Sequence, residues 1–369
     1  MYSRKRLKPA RKKYKTQTKF NFDWSLLFIT LTLLIIGVIM VYEASVVVAF
    51  QQFNDKLYFA RRQLQWSILG LFAMGFATFI PLQSLKKYTF HFFALTLALL
   101  VVVLFSKEIS GAKRWLDLGF FSLQPSELVK LSLILYLSAY FEKSTKTNTF
   151  LLILGSVIGL VMLQPDLDTA IIITCVSLGI YFLAEAPISH ILGLVTAAIG
   201  GAGLLVVSSP YRFSRLMTFL DINRDPLGAS YHIRQVILAL GSGGVLGSGF
   251  GRSLQKYRFL PEATTDSIFA VIGEETGFIG AVFIVSLFLF YAYKGYKIAE
   301  RTNDKYLRLI ASGLTLLITS QAFLNISAMT ALVPIAGITL PFISYGGSSL
   351  IISLTATGLL INISRYRDK

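Results

Sequence analysis

The segment "FLPEATTDSIFAVIGEETG", Phe259 to Gly277, carries four carboxylates where a polar, glycine-rich stretch gives way to a long apolar run. They are Glu262, Asp266, Glu274 and Glu275. Acids in or beside hydrocarbon are costly, so each is either a working group or half of a pair. Asp266 stands at the mouth of the apolar run and has the chemistry of a general base. Glu262 lies four residues earlier, one turn away on a helix. Two readings are open for it: it holds Asp266 and raises its pKa, or it is a helix-start acid favoured by the dipole. Glu274 and Glu275 read as structural groups paired inside a bundle.

A second cluster lies in "QPSELVK", Gln124 to Lys130, where Pro125 and Ser126 signal a helix start. Glu127 and Lys130 are three residues apart and share a helical face. They form either a self-neutralising pair or a pair that faces a cavity and turns Lys130 towards an anion. In "SSPYRFSR", Ser208 to Arg215, Arg212 and Arg215 are again one turn apart. Guanidinium groups suit phosphate; the alternative is interfacial anchoring, with Tyr211 and Phe213 in the headgroup belt. The glycine run "GSGGVLGSGFG", Gly241 to Gly251, lacks the Gly-Lys-Ser/Thr ending of a phosphate loop and the spacing of a dinucleotide fingerprint. It reads as a closely packed bend at the membrane edge. "ALVPIAGITLPFISYGGSSL", Ala331 to Leu350, reads as a tight uncharged loop whose backbone groups can line a cavity.

The elements that must position these groups are membrane helices. The 369 residues are 54% hydrophobic and 15% charged, with a mean hydropathy of +0.64, far from the composition of a soluble domain. Apolar runs predict an all-α polytopic protein with ten spans, at 24–48, 64–82, 89–105, 124–142, 149–164, 168–185, 189–208, 267–293, 307–331 and 345–364. The single membrane domain covers 23–366, with a large outer loop at 209–266 between spans 7 and 8. The tail, residues 1–22, holds nine Lys or Arg and no acid before Phe20 and reads as a disordered cytoplasmic retention signal. Inner segments then carry 21 Lys or Arg against 13 outside, which places both termini in the cytosol. Asp266 faces outward. The net charge of +16 is therefore a topology signal and not a nucleic-acid footprint. One cysteine, Cys175, excludes an internal disulfide, and His91, His190 and His232 match no zinc spacing.

Four segments, "QPSELVK", "QPDLDTA", "GSGGVLGSGFGRSLQKYRFLPEATTDSIFAVIGEETG" and "LPFISYGGSS", occur in the order in which the SEDS family carries similar ones. That family (shape, elongation, division and sporulation; FtsW, RodA and SpoVE) comprises polytopic peptidoglycan glycosyltransferases of bacterial inner membranes. The resemblance runs from Trp24 to Tyr366 and is nearer the FtsW and SpoVE branch. It implies polymerisation of lipid II at the outer face, with Asp266 as the catalytic acid residue and Glu127, Lys130 and Arg114 as motif residues. The implied donor is activated as a diphosphate, so one base and a set of cations suffice, and no carboxylic acid is needed at the leaving oxygen. Arg114, Lys130, Arg212, Arg215 and Lys256 are the available cations, with a divalent ion as a supplement. The resemblance further implies a class B penicillin-binding protein as partner, other divisome or elongasome membrane proteins, and a place at the division septum. The alternatives are a flippase for the same precursor and a scaffold for a partner enzyme. The chain departs from the family pattern at Thr264, where His is common, at Asp168, where Gly is usual, and at Glu43 and Ser327.

Overall fold

A computed structural model describes residues 22–108, 112–117, 119, 122–222, 228, 230–253 and 260–366. The basic tail, apart from Phe22, lies outside them, as does Lys256. Twelve α-helices run in order: α1 (Trp24–Phe53), α2 (Tyr58–Phe79), α3 (Leu82–Val102), α4 (Pro125–Phe141), α5 (Thr147–Leu163), α6 (Leu167–Leu183), α7 (Ile188–Val207), α8 (Pro210–Leu220), α9 (Tyr231–Gly243), α10 (Ile268–Glu300), α11 (Lys305–Met329) and α12 (Gly347–Ser364). A short antiparallel hairpin, β1 (Leu116–Asp117) and β2 (Ser122–Leu123), precedes α4.

Each of the ten apolar runs falls on a helix, and six helices are long and apolar enough to cross a membrane: α1, α3 with its terminal 3-10 turn, α7, α10, α11 and α12. Helices α4, α5 and α6 have 17 residues each, and α2 carries Arg61, Arg62 and Gln63 in its first two turns. The chain is a polytopic helical membrane protein. Its starts are signalled locally: Asp23, Asp166 and Asp304 accept the N–H of the third residue beyond them at the entries to α1, α6 and α11, and Pro125 opens α4.

The packing follows from which faces are oily on both sides. Almost every residue from Ser348 to Ser364 in α12 is buried, and α12 lies along α2. α10 packs along α11, α3 along α4, and α9 along α10. α7 contributes no buried residue and rests chiefly on α6 and α8, so it forms a peripheral wall.

The expected outer loop is not irregular throughout, since α8 and α9 lie within it. α8 alternates charge with apolar side chains (Arg212 and Arg215 among Tyr211, Phe213, Leu216 and Met217), the pattern of a helix lying on a surface. The run at 267–293 also differs from the expected straight span: α10 continues to Glu300 and is broken at Gly277 (φ 70°, ψ −167°). The break frees backbone groups in the bundle, and the glycine run after α9 meets them. Ser248 and Gly249 donate to the carbonyls of Glu274 and Glu275 at 2.9 and 3.1 Å, while Phe278 and Ile279 donate to those of Gly244 and Val245. A Cβ at Gly277 would lie 2.3 Å from the Gly247 nitrogen, so only glycine permits this crossing. The glycine run is the close-packed bend its composition suggested.

Candidate functional site

Asp266 sits in a tight turn, residues 260–267, immediately before α10. The turn is closed by Thr265 and Ser267, whose N–H groups donate to the Glu262 carbonyl. Here the helical reading of Glu262 is corrected. Its φ is +49° and the segment from it to Asp266 is a turn, so it is neither a helix-start acid nor stacked one turn below Asp266. Its carboxylate instead accepts from the Thr265 hydroxyl at 2.8 Å. Three outside groups fix the turn. Asn325 of α11 donates to the carbonyls of Asp266 (2.8 Å) and Ile338 (2.7 Å), the Ser344 hydroxyl donates to the Thr265 carbonyl, and Tyr345 N–H donates to Thr264. From α9, His232 Nε2 lies 2.7 Å from the Ser267 hydroxyl. Burial, with the Arg215 charge second and Glu262 opposing, pushes the His232 imidazole below its ordinary range.

The half-buried Asp266 lines a cavity of about 400 Å³. That cavity also holds Arg62, Arg114, Glu127, Lys130, Asp166 and Glu262. Three cations thus face four carboxylates, one acid too many for full neutralisation. Burial first, then the charges of Glu262 and Asp168, push the Asp266 carboxyl up to about 7, against the lowering pull of Arg215. The pair Glu127–Lys130 is self-neutralising and lies at the cavity wall. Lys130 Nζ donates to Glu127 Oε1 at 2.8 Å with both side chains nearly inaccessible, and the pair still borders the cavity.

A second cavity, of about 850 Å³, shares Arg114, Trp115, Gly337 and Ile338 with the first. Its charged residues are Arg114, Arg212, Arg215 and Asp168, a net excess of cations. The Arg114 guanidinium is seated on the turn before α6: Nε donates to the Gln164 carbonyl (3.0 Å), Nη2 to Pro165 (2.7 Å), and Nη1 stands 4.0 Å from Asp166. Arg215 Nη1 donates to Ile335 (3.3 Å), lies 3.9 Å from Asp168, and its guanidinium covers the Tyr211 ring. Arg212 turns towards the end of α7, where it donates to the Leu205 carbonyl. Tyr211 is 65% exposed, so the anchoring and cavity-lining readings of this helix are compatible.

The two chambers therefore bring together Asp266, Arg114, Glu127, Lys130, Glu262, Arg212 and Arg215; Lys256 falls outside the described residues. Sequence reasoning missed Arg62 and Asp166, which belong to the smaller chamber, and gave Asp168 no role. Asp166 had a signal, as the helix cap in Gln-Pro-Asp; Arg62 had none beyond a charge near an apolar run. Glu274 and Glu275 are buried at the α10 break away from both cavities, Glu274 accepting from the Ser253 hydroxyl. Among the described residues no group of three or more His, Cys, Asp or Glu side chains is placed to hold a metal ion.

Residues 24–369 match the family model of FtsW, RodA and SpoVE, described as cell cycle proteins. The chain is 40% identical over 362 residues to stage V sporulation protein E of Bacillus subtilis (strain 168), covering 95% of this chain and 99% of that one. It is 39% identical to a probable peptidoglycan glycosyltransferase FtsW of Geobacter sp. (strain M18), covering 93% and 97%. Among solved structures it superposes on a chain of a peptidoglycan synthase complex that coordinates polymerization and crosslinking (TM-score 0.77, 28% identity, 94% and 98% covered). The rod shape determining protein RodA of Thermus thermophilus superposes with a TM-score of 0.72 at 27% identity, covering 95% and 98%.

Proposed function

The chain belongs to the FtsW, RodA and SpoVE family of cell cycle proteins, and from that membership we infer that it is a peptidoglycan glycosyltransferase polymerising lipid II. The observation that carries the mechanism is the pair of adjoining chambers, one with a surplus carboxylate at Asp266 and one with surplus guanidinium groups. The acceptor sugar hydroxyl gives its proton to the Asp266 carboxylate while its oxygen attacks the donor's anomeric carbon. The bond from that carbon to the diphosphate breaks, and the electron pair leaves with the diphosphate. Arg215, Arg212 and Arg114 meet that charge where it develops. A carboxyl poised at about 7 is matched to this task, being ionised near neutral pH and still basic enough to take a proton. A divalent ion would ride on the diphosphate.

The topology that fits this chemistry has ten crossings, both termini in the cytosol and the chambers opening outward, as the Lys and Arg distribution favours. The lipid tails then remain in the bilayer while the sugars enter from its outer edge, in the bacterial inner membrane, at the septum. A class B penicillin-binding protein is the partner, a reading supported by the likeness to a chain of a polymerising and crosslinking complex. The test uses purified protein in detergent with lipid II, with and without the co-purified partner. Wild type should yield a ladder of glycan strands, and folded Asp266→Ala should yield none. A ladder from Asp266→Ala removes Asp266 from its role. Transport activity in vesicles without any polymer would instead support a flippase.

A further inference from the structure

Asp168 occupies the first turn of α6 and belongs to the larger chamber, yet the mechanism above gives it nothing to do. Its Oδ2 accepts the Gly337 N–H at 2.8 Å and lies 3.9 Å from Arg215 Nη1, the same nitrogen that donates to Ile335. One carboxylate thus ties α6, α8 and the loop at 331–346 together. A Cβ built on Gly337 would lie 3.5 Å from Asp168 Oδ2 and 3.6 Å from Asp266 Oδ2, which places those two oxygens within about 7 Å of each other. Gly337 is the thin partition between two acids, one in each chamber.

We propose that Asp168 is a positioning residue for the reaction: it holds Gly337 and Arg215 in place and faces Asp266 across that partition with a second negative charge. Two consequences follow, both resting on the reading of Asp266 as the base. Arg215, the cation that most lowers Asp266, is partly compensated, so it can serve the diphosphate without weakening the base. The Asp168 charge also keeps Asp266 basic directly. The other groups facing Asp266 are Glu262 from its own turn, Asp166 from α6, Arg114 beside the hairpin, Arg62 from α2 and the Glu127–Lys130 pair from α4. His232 of α9 bears on Ser267. Asp168 touches both Arg215 and Gly337.

The experiment follows the pH dependence of Asp266 modification by a hydrophobic carbodiimide, which attacks protonated carboxyls, read by peptide mass spectrometry on the full chain in detergent. Polymerisation is measured on the same samples. Wild type should show a labelling midpoint near 7. Asp168→Asn keeps an acceptor for Gly337 but loses the charge; its midpoint, and the acid limb of activity, should fall by about half to one and a half pH units for a charge at that range. Asp168→Glu should restore the wild-type midpoint. Arg215→Gln, an independent variant should Asp168→Asn fail to fold, should raise it. A midpoint unmoved in Asp168→Asn or Arg215→Gln, or moved equally by Asp168→Glu, overturns the proposal. Wild type that labels normally but makes no polymer sinks the lipid II reading alone, since the labelling comparison still decides the role of Asp168.

Discussion

Replacing Asp266 with Asn should remove activity and make the protein more stable, and the gain should depend on pH in a defined direction. The folded carboxyl is pushed from an ordinary 3.8 up to about 7, so folding favours its protonated form. That contribution is fully present below the unfolded pKa and is lost as pH rises through the folded one, after which the ionised group destabilises the fold. At 1.36 kcal/mol per unit the shift corresponds to about 4 kcal/mol above pH 7. The side chain is only half-buried and faces a cavity, so we take about half of that, roughly 2 kcal/mol, as the realised effect. For a chain of this size that is a shift of about 3 °C in melting temperature. Thermal unfolding in detergent at pH 5, 6, 7 and 8 should therefore show Asp266→Asn pulling ahead of wild type as pH increases, with the difference levelling above about pH 7.5. A difference independent of pH, or a variant less stable than wild type at pH 8, refutes the charge argument whatever happens to activity.

The buried Glu127–Lys130 pair predicts a non-additive cycle: Glu127→Gln or Lys130→Met alone should each cost about 3–5 kcal/mol by leaving a buried charge, and the double variant less than the sum. Additive losses in melting temperature would show that the two do not act as a pair. At the break in α10, Gly277→Ala should abolish accumulation of folded protein, because its Cβ would meet the Gly247 nitrogen and the Val245 carbonyl. Gly159→Ala on α5, where a Cβ meets nothing within 4 Å, is the matched control and should express normally. Equal yields of the two proteins would contradict the crossing.

What the sequence revealed and what it hid divide along the range of the interactions. The helices were legible because burial in lipid demands long apolar helices: α1 to α7 and α10 to α12 fall on the expected runs, and six of them are long and apolar enough to cross a membrane. The Glu127–Lys130 pair was legible because three residues of helix bring the two together. Glu262 was misread for the complementary reason: proximity of four residues means one turn only if the chain is helical, and Asn325, Ser344 and Tyr345 hold a turn there instead. Those clamps come from 59 to 81 residues away along the chain. Arg62 and Asp168 reach the chambers by the same kind of long-range packing, which no local pattern announces.

In the proposed reaction the placement of Asp266 outside α10 is itself part of the chemistry. Glu274, eight residues on, is buried, accepts from the Ser253 hydroxyl and lines neither chamber. A base there would need its substrate to enter the bundle. On the turn, Asp266 is dry enough, and close enough to Glu262 and Asp168, to be a stronger base than a surface aspartate. It is also wet enough to be ionised when the acceptor arrives. Arg212 and Arg215 lie across the Gly337 partition in the larger chamber, where in the proposed reaction they meet the departing diphosphate, while Arg114 borders both chambers. A closer approach of Arg215 to Asp266 would lower that carboxyl further and weaken the proposed base.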